Sequence, residues 1–366
     1  MKILQLPHLP LREVLVHMLP SDVFLLSVCS KQSETAISGS TPYRNCDIRL
    51  VESEASVMQY SLHDRKLTSV VVKWWWDHIP EQVEQKNSDI QIYGLKCRLT
   101  IDPFTNIPKF WCPNEKEFAT RLLLNLCKVF RSKFDSRIIL EASHAQGLPK
   151  IKQIEGVSMK GAVSKAIHVE NFLKDVEVTD YAHLAINIYD RALNPDCKLY
   201  SIDNVCIDIG WFVTGPDLLR FDCRNITVHE SKIDREFFVQ FVKNWMDGRY
   251  TRLETLFVIN TSLIDREALQ GSFELKPWNE KERAQNYVYK GPLKSRCTAF
   301  LTDMFDCSGR ERWDDRNSRP PCDLVAPDGR LATIRIHLHH FLFYVWHERF
   351  PEETTLKEAV VWHNGR

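Results

Sequence analysis

One stretch, residues 225–260, limits the possible folds more than any other part of the chain. It reads "NITVHESKIDREFFVQFVKNWMDGRYTRLETLFVIN". Its first part alternates apolar and polar residues, as a half-buried strand does, and its middle has apolar residues at helical spacing. The helical stripe consists of Phe237, Phe238, Phe241, Val242, Trp245 and Met246. Asp234 can cap this helix, Gly248 can end it, and a second strand begins at Leu256, so the stretch predicts a strand–helix–strand unit.

Strands at similar distances elsewhere suggest that this unit is repeated. Ile138 and Ile167 lie 29 positions apart, and Ile226 and Leu256 lie 30 apart. Such spacing is typical of helix-and-strand repeats, in which right-handed crossovers join parallel strands. The interval from Ile167 to Val205 is 38, so the repeat is irregular. The sequence therefore predicts an irregular leucine-rich-repeat-like α/β domain, with an open α/β sandwich as the alternative.

The segments between residues 46 and 200 are assigned from the same patterns. Runs of β-branched and aromatic residues predict strands in "DIRLVES", "LTSVVVKWWW" and "QIYGLKCRLTI". An apolar stripe predicts a helix in "NEKEFATRLLLNLCKVFRSKF", and "SRIIL" and "AIHV" are taken as strands of the repeat. "TDYAHLAINIYDRAL" is predicted to be a helix capped by Thr179 or Asp180. We expect the tryptophans at 74–76 to fill a core or a seam between domains.

The C-terminal part predicts a β-hairpin. In "DLVAPDGRLATIRIHLHHFLFYVWH", two alternating runs flank Asp328–Gly329, a strong two-residue turn signal. His337 and His339 would share one face of a strand, His340 would point the other way, and His347 lies further along. A zinc site needs about four converging ligands. These histidines do not meet that condition, so we predict half-exposed strand histidines and no metal site.

The N-terminus holds two short apolar segments separated by "PSD". One helical stripe comprises Leu11, Val14, Leu15 and Met18. Pro20 is expected to end this helix, and Ser21 or Asp22 to cap the next. The second segment, "VFLLSVC", is apolar on nearly every side, so the rest of the chain or another protein must cover it.

Composition disfavours several classes of function. Lysines plus arginines equal aspartates plus glutamates, 48 each, so no basic surplus points to nucleic acid or acidic membranes. No signal-peptide core and no apolar run of the ~20 residues needed to span a membrane is visible. Eleven cysteines without a CxxC pair are typical of reduced thiols, and we expect a cytoplasmic and/or nuclear protein. Nucleotide-binding, hydrolase and metalloprotease motifs are absent from the sequence, so no motif points to a catalytic site or a cofactor.

The N-terminal stretch resembles an F-box. The Leu-Pro with which that family begins is matched at Leu6–Pro7 or Leu9–Pro10. Its first helix is matched by "EVLVHML", its acidic break by "PSD", and its second helix by "LLSVCSK". One departure is that Gln32 and Ser33 stand where the family often has a tryptophan.

Two further segments resemble a nematode-expanded set of F-box proteins. "LLRFDCRNITVHESKIDREFFVQFVKNWMDGRYTRLETLFV" resembles their type-2 F-box-associated domain, and "DGRLATIRIHLHHFLFYVWHERFP" resembles their C-terminus. The resemblance implies a small helical F-box at 1–45 and an F-box-associated, substrate-recognition domain at 46–366. That domain would be strand-rich at 46–113, have helix/strand repeats at 114–270, and end in a loop and hairpin at 271–366.

The resemblance also implies a function. The F-box would dock on a Skp-type adaptor of an SCF-type cullin-RING E3 ubiquitin ligase, and the associated domain would hold a protein substrate whose identity and binding surface the sequence does not give. The candidate adaptor contacts are Leu9, Pro10, Val14, Leu15, Met18, Phe24, Leu25, Leu26 and Cys29. No catalytic residue is expected in such a subunit. The alternative is a non-ligase binding protein that keeps the F-box as a helical cap, and an α/β enzyme with an unrecognised site ranks third.

Overall fold

The computed structural model describes residues 7–40, 47–54, 57–64, 67–75, 88–92, 94–102, 105–130, 138–142, 152–289, 304–307 and 321–351. The chain forms two compact units. The first comprises Met1–Lys160 with Asp175–Val178, and the second comprises Gly161–Lys174 with Thr179–Arg366. No helix in the described part of the chain is long and apolar enough to cross a membrane.

Three helices begin the first unit, and a fourth packs against them. They are α1 (His8–Val16), α2 (Pro20–Val28), α3 (Lys31–Ser40) and α4 (Glu115–Val129). The predicted break at Pro20 is confirmed, but the predicted cap at Ser21 or Asp22 is wrong. Leu19 is the residue before the helix, and Pro20 occupies its first turn, where a missing N–H costs nothing.

The strands of the first unit form a mixed sheet. They are β1 (Asp47–Glu54), β2 (Val57–Asp64), β3 (Leu67–Trp75), β4 (Ser88–Ile92), β5 (Leu95–Ile101), β6 (Pro108–Trp111), β7 (Ile138–Ala142) and β8 (Gln153–Ser164). Their order is β8-β7-β1-β2-β3-β6-β5-β4. The pairs β7/β8, β1/β7 and β3/β6 are parallel, whereas β1/β2, β2/β3, β4/β5 and β5/β6 are antiparallel.

The core of the first unit lies between this sheet and α4. The predicted stripe of α4 is confirmed, because all six of its apolar residues are buried: Phe118, Leu122, Leu123, Leu126, Val129 and Phe130. Trp74 is fully buried, with its ring 4.8 Å from that of Tyr60. The expectation of a core tryptophan is therefore confirmed for Trp74, and Trp76 lies outside the described residues.

The second unit contains these helices and strands: α5 (Ala166–Asp175), β9 (Glu177–Ile188), a 3-10 helix (Lys198–Ser201), β10 (Asn204–Ile207), α6 (Gly215–Leu218), β11 (Asn225–Ser231), α7 (Arg235–Met246), β12 (Thr255–Asn260), α8 (Arg266–Gln270), β13 (Lys276–Pro277), β14 (Asn286–Val288), β15 (Met304–Asp306), β16 (Cys322–Val325), β17 (Leu331–Ile336) and β18 (His340–Val345). Its main sheet has the order β13-β16-β17-β18-β12-β11-β10-β9. The strands β9 to β12 are parallel, and the remaining neighbours are antiparallel.

The predicted strand–helix–strand unit is confirmed as β11, α7 and β12. Helix α7 lies over one face of the sheet, where the ring of Phe238 stacks on Phe341 at 4.7 Å. The ring of Trp245 meets that of Phe343 edge-on at 5.1 Å. Gly248 ends the helix region with φ +85, a backbone conformation that residues with a Cβ rarely adopt.

The opposite face of the sheet packs on the segment that contains β14 and β15. The ring of Tyr287 lies 5.1 Å from Tyr344 and 5.2 Å from Trp346. The predicted hairpin is confirmed as β16 and β17, joined by a turn in which Gly329 has φ +87. The strand β18 then folds back and pairs with β12.

Polar side chains, three of them buried and one half-buried, cross the four parallel strands as a ladder. Asn204 Nδ2 donates to Asp180 Oδ1 at 2.7 Å, and Asn225 Nδ2 donates to Asn204 Oδ1 at 2.7 Å. Thr255 Oγ1 donates to Asn225 Oδ1, again at 2.7 Å. We call Asp180, Asn204, Asn225 and Thr255 the polar ladder. Because a one-residue slip would leave these amides without partners, the ladder fixes the register of β9 to β12.

One predicted pair of elements is reversed in the structure. Residues predicted as the strand "AIHV" begin α5, and the predicted helix from Thr179 is β9. Residues 182, 184, 186 and 188 are buried in β9, a period of two. The same stretch also offers apolar residues at helical spacing, and the sheet decides between the two patterns. Since Ile167 is helical, the interval of 29 from Ile138 does not join two strands of a repeat.

The fold class is confirmed at the level of a mixed α/β protein. Parallel strands with crossover helices are present, as predicted, but antiparallel strands flank them in both units. The finer predictions, a leucine-rich-repeat-like domain and a separate F-box at 1–45, stay predictions.

Candidate functional site

The N-terminal helices expose large apolar side chains. Leu9 is 70% exposed, Leu19 is 60% exposed and Val16 is 46% exposed. Folding alone does not need these positions, because α1 is anchored by its buried Leu11 and Leu15. Several large apolar side chains exposed within one short region are typical of surfaces that bind another protein.

The structure divides the nine candidate adaptor contacts into three groups. Leu9, Pro10 and Cys29 are exposed; Val14, Met18, Leu25 and Leu26 are half-buried; Leu15 and Phe24 are buried. The last two are both 0% exposed, so they hold the helices together and offer no surface to a partner as the chain is folded here. For them the expected contact role is corrected to a core role.

Contacts within the first unit explain how the all-apolar α2 is covered. It packs against α3, β3 and α4. Ser27 Oγ lies 3.3 Å from Asn125 Oδ1 of α4, and Asn125 Nδ2 donates to Glu34 of α3 at 3.2 Å. Lys128 Nζ is 2.9 Å from Glu34 Oε2. The helices therefore belong to the folded unit, and only part of α2 remains available for another protein.

Sequence reasoning missed Val16 and Leu19, two of the most exposed apolar residues of this region. The stripe through Leu11 and Leu15 faces the core, and Val16 lies on the other side of α1. Leu19 directly precedes Pro20, so it sits in the link between helices. We call Leu9, Val16 and Leu19, with the half-buried Leu25 and Leu26, the N-terminal apolar surface.

A second surface lies at the carboxyl ends of the parallel strands in the second unit. Tyr189 follows β9, Trp211 follows β10, and Leu263 follows β12; they are 58%, 58% and 68% exposed. Leu338, in the turn before β18, is 42% exposed. Parallel strands bring their carboxyl ends to one edge, which is where open α/β sheets bind ligands. We call these four residues the carboxyl edge.

Hydrogen bonds hold parts of this edge in place. Trp211 Nε1 donates to Glu230 Oε2 at 3.1 Å, which fixes the indole beside β11. The Ile264 N–H donates to the Leu338 carbonyl at 2.8 Å, which joins the loop after β12 to the turn before β18. An edge that is already ordered loses little entropy when it binds a partner.

The C-terminal histidines His337, His339 and His340 lie at the carboxyl edge and not along one face of a strand. His337 and His339 are in the turn, and His340 begins β18. The rings of His337 and His340 stack at 5.5 Å. Burial, followed by the neighbouring charges of His337 and His339, lowers the pKa of His340. His347 instead contacts the Leu253 carbonyl, with Nε2 at 2.8 Å.

Part of the second unit matches a known protein family in sequence. Residues 199–258 match the family described as "F-box associated". The matched segment runs from the 3-10 helix through β10, β11 and α7 into β12, and it contains Trp211 of the carboxyl edge. It contains residues 218–258, the segment whose sequence resembles the type-2 F-box-associated domain.

Among curated proteins, relatives are found in Caenorhabditis elegans. One uncharacterized protein is 23% identical over 97% of this chain and 81% of its own length. A second is 22% identical over 84% of this chain and 88% of its own length. A third is 25% identical over 45% of this chain and 35% of its own length. No solved structure gives a significant match.

Proposed function

We propose that this protein is the substrate-recognition subunit of an SCF-type cullin-RING ubiquitin ligase. The observation that carries the proposal is the match of residues 199–258 to the F-box associated family. In such a subunit an N-terminal F-box binds a Skp-type adaptor, and the associated domain binds a protein substrate. On this proposal the chain transfers no ubiquitin itself and acts in the cytoplasm and/or the nucleus.

The N-terminal apolar surface supports the adaptor-binding half of the proposal. Leu9 and Leu19 expose more than half of their surface, and burying a leucine side chain is worth about 1.5–3 kcal/mol. Two buried leucines could therefore account for a hundredfold or greater part of the affinity, at about 1.4 kcal/mol per factor of ten. Leu9 and Leu19 are also the best positions for a test, because a charged side chain can be introduced at an exposed residue without disrupting the packing of the core.

We expect the double variant Leu9→Asp/Leu19→Asp to weaken binding to a Skp-type adaptor by at least about 100-fold, because two desolvated carboxylates oppose association. Binding is measured by calorimetry on the purified full-length chain and by size exclusion of the mixture. Leu25→Asp is expected to abolish binding too, but its half-buried site requires a check of folding by circular dichroism.

The matched control is Leu263→Asp, at an exposed leucine in the second unit. It should bind the adaptor as the wild type does. Unchanged affinity in the N-terminal double variant would assign the adaptor contact to other residues. A wild-type chain that does not bind any Skp-type adaptor would overturn the ligase proposal.

A second candidate function is a binding protein without a ligase role. It is favoured by one observation, that Phe24 is covered completely within the chain, as a helical cap would require. The two candidates make opposite predictions for the adaptor titration. Formation of a stable one-to-one complex with the adaptor supports the ligase receptor. Absence of that complex supports a binding protein that keeps the F-box as a helical cap.

The carboxyl edge is the surface that we assign to the substrate. Trp211 lies within the family match, and tryptophan is enriched among residues that dominate binding energy at protein interfaces. Its position at the ends of parallel strands places it on the part of the sheet where loops differ most freely between proteins.

We expect Trp211→Ala to stabilise the cellular proteins whose degradation depends on this chain, with adaptor affinity unchanged. The measurement compares protein half-lives in cells that express the wild-type chain, no chain, or the variant. Leu124→Ala, at an exposed leucine of α4, is the control and should behave as the wild type. If half-lives with Trp211→Ala equal those with the wild type, the substrate binds elsewhere.

A further inference from the structure

A histidine, a cysteine and an aspartate converge on one face of the second unit. The potential ligand atoms of His183, Cys206 and Asp208 all lie within 4.8 Å of one another. His183 Nε2 is 2.9 Å from Asp208 Oδ2, and Cys206 Sγ is 3.7 Å from Asp208 Oδ1. Within the described residues this is the single group of three or more such side chains close enough to share one ion.

Strand register explains why these side chains meet. His183 of β9 and Cys206 of β10 are direct partners in the parallel pairing, so their side chains stand side by side on one face. Asp208 lies two positions after Cys206 and therefore faces the same way. His183 lies more than twenty positions before the other two in the sequence, and only the sheet brings it to them.

A fourth potential ligand lies on the next strand. His229 of β11 follows Val228, and Val228 pairs with Ile207, the residue before Asp208. His229 interacts electrostatically with both Asp208 and His183. Its Nε2 is buried and has no hydrogen-bond partner among the described residues. A buried imidazole nitrogen that no other group uses can serve as a metal ligand.

The backbone around His229 is irregular in a way that serves this arrangement. The pairing of β11 with β12 shifts between Val228 and Ser231, and Glu230 has a φ of 54. Gly210 lies against this bulge, where its N–H donates to the His229 carbonyl at 2.7 Å. A Cβ at Gly210 would lie 2.6 Å from that oxygen. Bulges of this kind redirect side chains and occur near functional sites.

We propose that His183, Cys206, Asp208 and His229 form a zinc-binding site. Zinc takes four nitrogen, sulfur or oxygen ligands at about 2.0–2.3 Å in a tetrahedron, which places the ligand atoms about 3.3–3.8 Å apart. The ligand atoms of His183, Cys206 and Asp208 lie within 4.8 Å of one another, so these three need only small side-chain adjustments to reach that geometry. A thiolate with two imidazoles selects zinc and similar transition metals over magnesium and calcium.

Binding has a defined proton balance and a structural consequence. The Cys206 thiol loses its proton to solvent when its sulfur binds the ion, and no electron is transferred. The ion would join β9, β10 and β11, and its ligand Asp208 begins the loop that carries Trp211. The site would thus make part of the carboxyl edge rigid, whether or not the chain serves in a ligase.

The test is metal binding by the full-length chain, with zinc ion alone as the probe. After chelation and removal of the chelator, we expect the wild type to take up one zinc ion at this site and to unfold at a higher temperature when zinc is added. Cys206→Ser and His183→Asn should each weaken that binding by more than about 100-fold, since even the loss of an outer-shell partner costs 10–100-fold. Cys197→Ser and His168→Asn are controls at positions outside the cluster.

Cobalt(II) gives a second readout, a spectrum that reports directly on the thiolate ligand. Cobalt(II) bound at this site should show the visible absorption of tetrahedral geometry and a thiolate-to-cobalt charge-transfer band in the ultraviolet. The charge-transfer band should disappear in Cys206→Ser and persist in Cys197→Ser. The proposal is overturned if the wild type binds neither ion, or if the thiolate band survives in Cys206→Ser.

Discussion

Asp323→Ala is expected to lower the free energy of unfolding of the second unit by about 3–5 kcal/mol, because it leaves a buried arginine without its counter-ion. Arg283 is 0% exposed and Asp323 is 2% exposed. The guanidinium Nη2 lies 2.8 Å from Asp323 Oδ1, and its Nε lies 3.0 Å from Oδ2. Thr333 Oγ1 also donates to Asp323, at 2.7 Å, so the variant removes the acceptor of two residues.

The measurement is urea unfolding followed by tryptophan fluorescence, since the Arg283 guanidinium lies 4.7 Å from the centre of the Trp346 ring. Glu117→Ala breaks a half-exposed ion pair with Arg121 and should cost no more than about 1 kcal/mol. The double variant Arg283→Met/Asp323→Leu should recover much of the loss, because it removes both buried charges. A change below about 1 kcal/mol in Asp323→Ala would mean that water reaches Arg283.

Phe241→Ala should cost about 3–5 kcal/mol, the usual range for removal of a buried aromatic ring. Phe241 is fully buried on α7, stacked on Tyr250 at 4.7 Å and edge-on to Phe343 at 6.1 Å. Its loss would leave a cavity that spans the helix, the loop after it and the sheet. The neighbouring rings of Tyr250 and Phe343 limit how far the cavity can collapse.

Thermal and urea unfolding of Phe241→Ala measure this loss, and Phe241→Leu should lose distinctly less because it leaves a smaller cavity. Lys243→Ala, at an exposed position on the same helix, should change stability by less than about 0.5 kcal/mol. Equal stability of Phe241→Ala and Lys243→Ala would show that α7 does not pack on the face of the sheet that carries Phe343.

Elements whose pattern is local and unambiguous could be predicted from the sequence. Helix α7 has an apolar stripe and Gly248 at its end, and the hairpin of β16 and β17 has an Asp-Gly turn. The strand β9 could not be predicted in the same way, because its apolar residues fit both a period of two and a helical stripe. Pairing with β10, a tertiary interaction, decides in favour of the strand.

The sites depend even more on tertiary structure. The candidate contacts Leu15 and Phe24 look like Leu25 and Leu26 in the sequence, and only the packing of the helices on one another and on β3 determines which are buried. Exposure of Leu19 and Trp211 is likewise a property of the folded chain. The cluster of His183, Cys206 and Asp208 arises from strand register, which no spacing in the sequence reveals.

The pairing of β18 with β12 has a consequence for the order in which the protein can form during synthesis. When β12 leaves the ribosome, its outer edge has no partner, and the partner is not complete until residue 345 has been made. Unpaired strand edges recruit other chains. The nascent protein must therefore pass through a long interval in which an apolar edge is open, and chains interrupted before β18 would be natural substrates for chaperones and proteases.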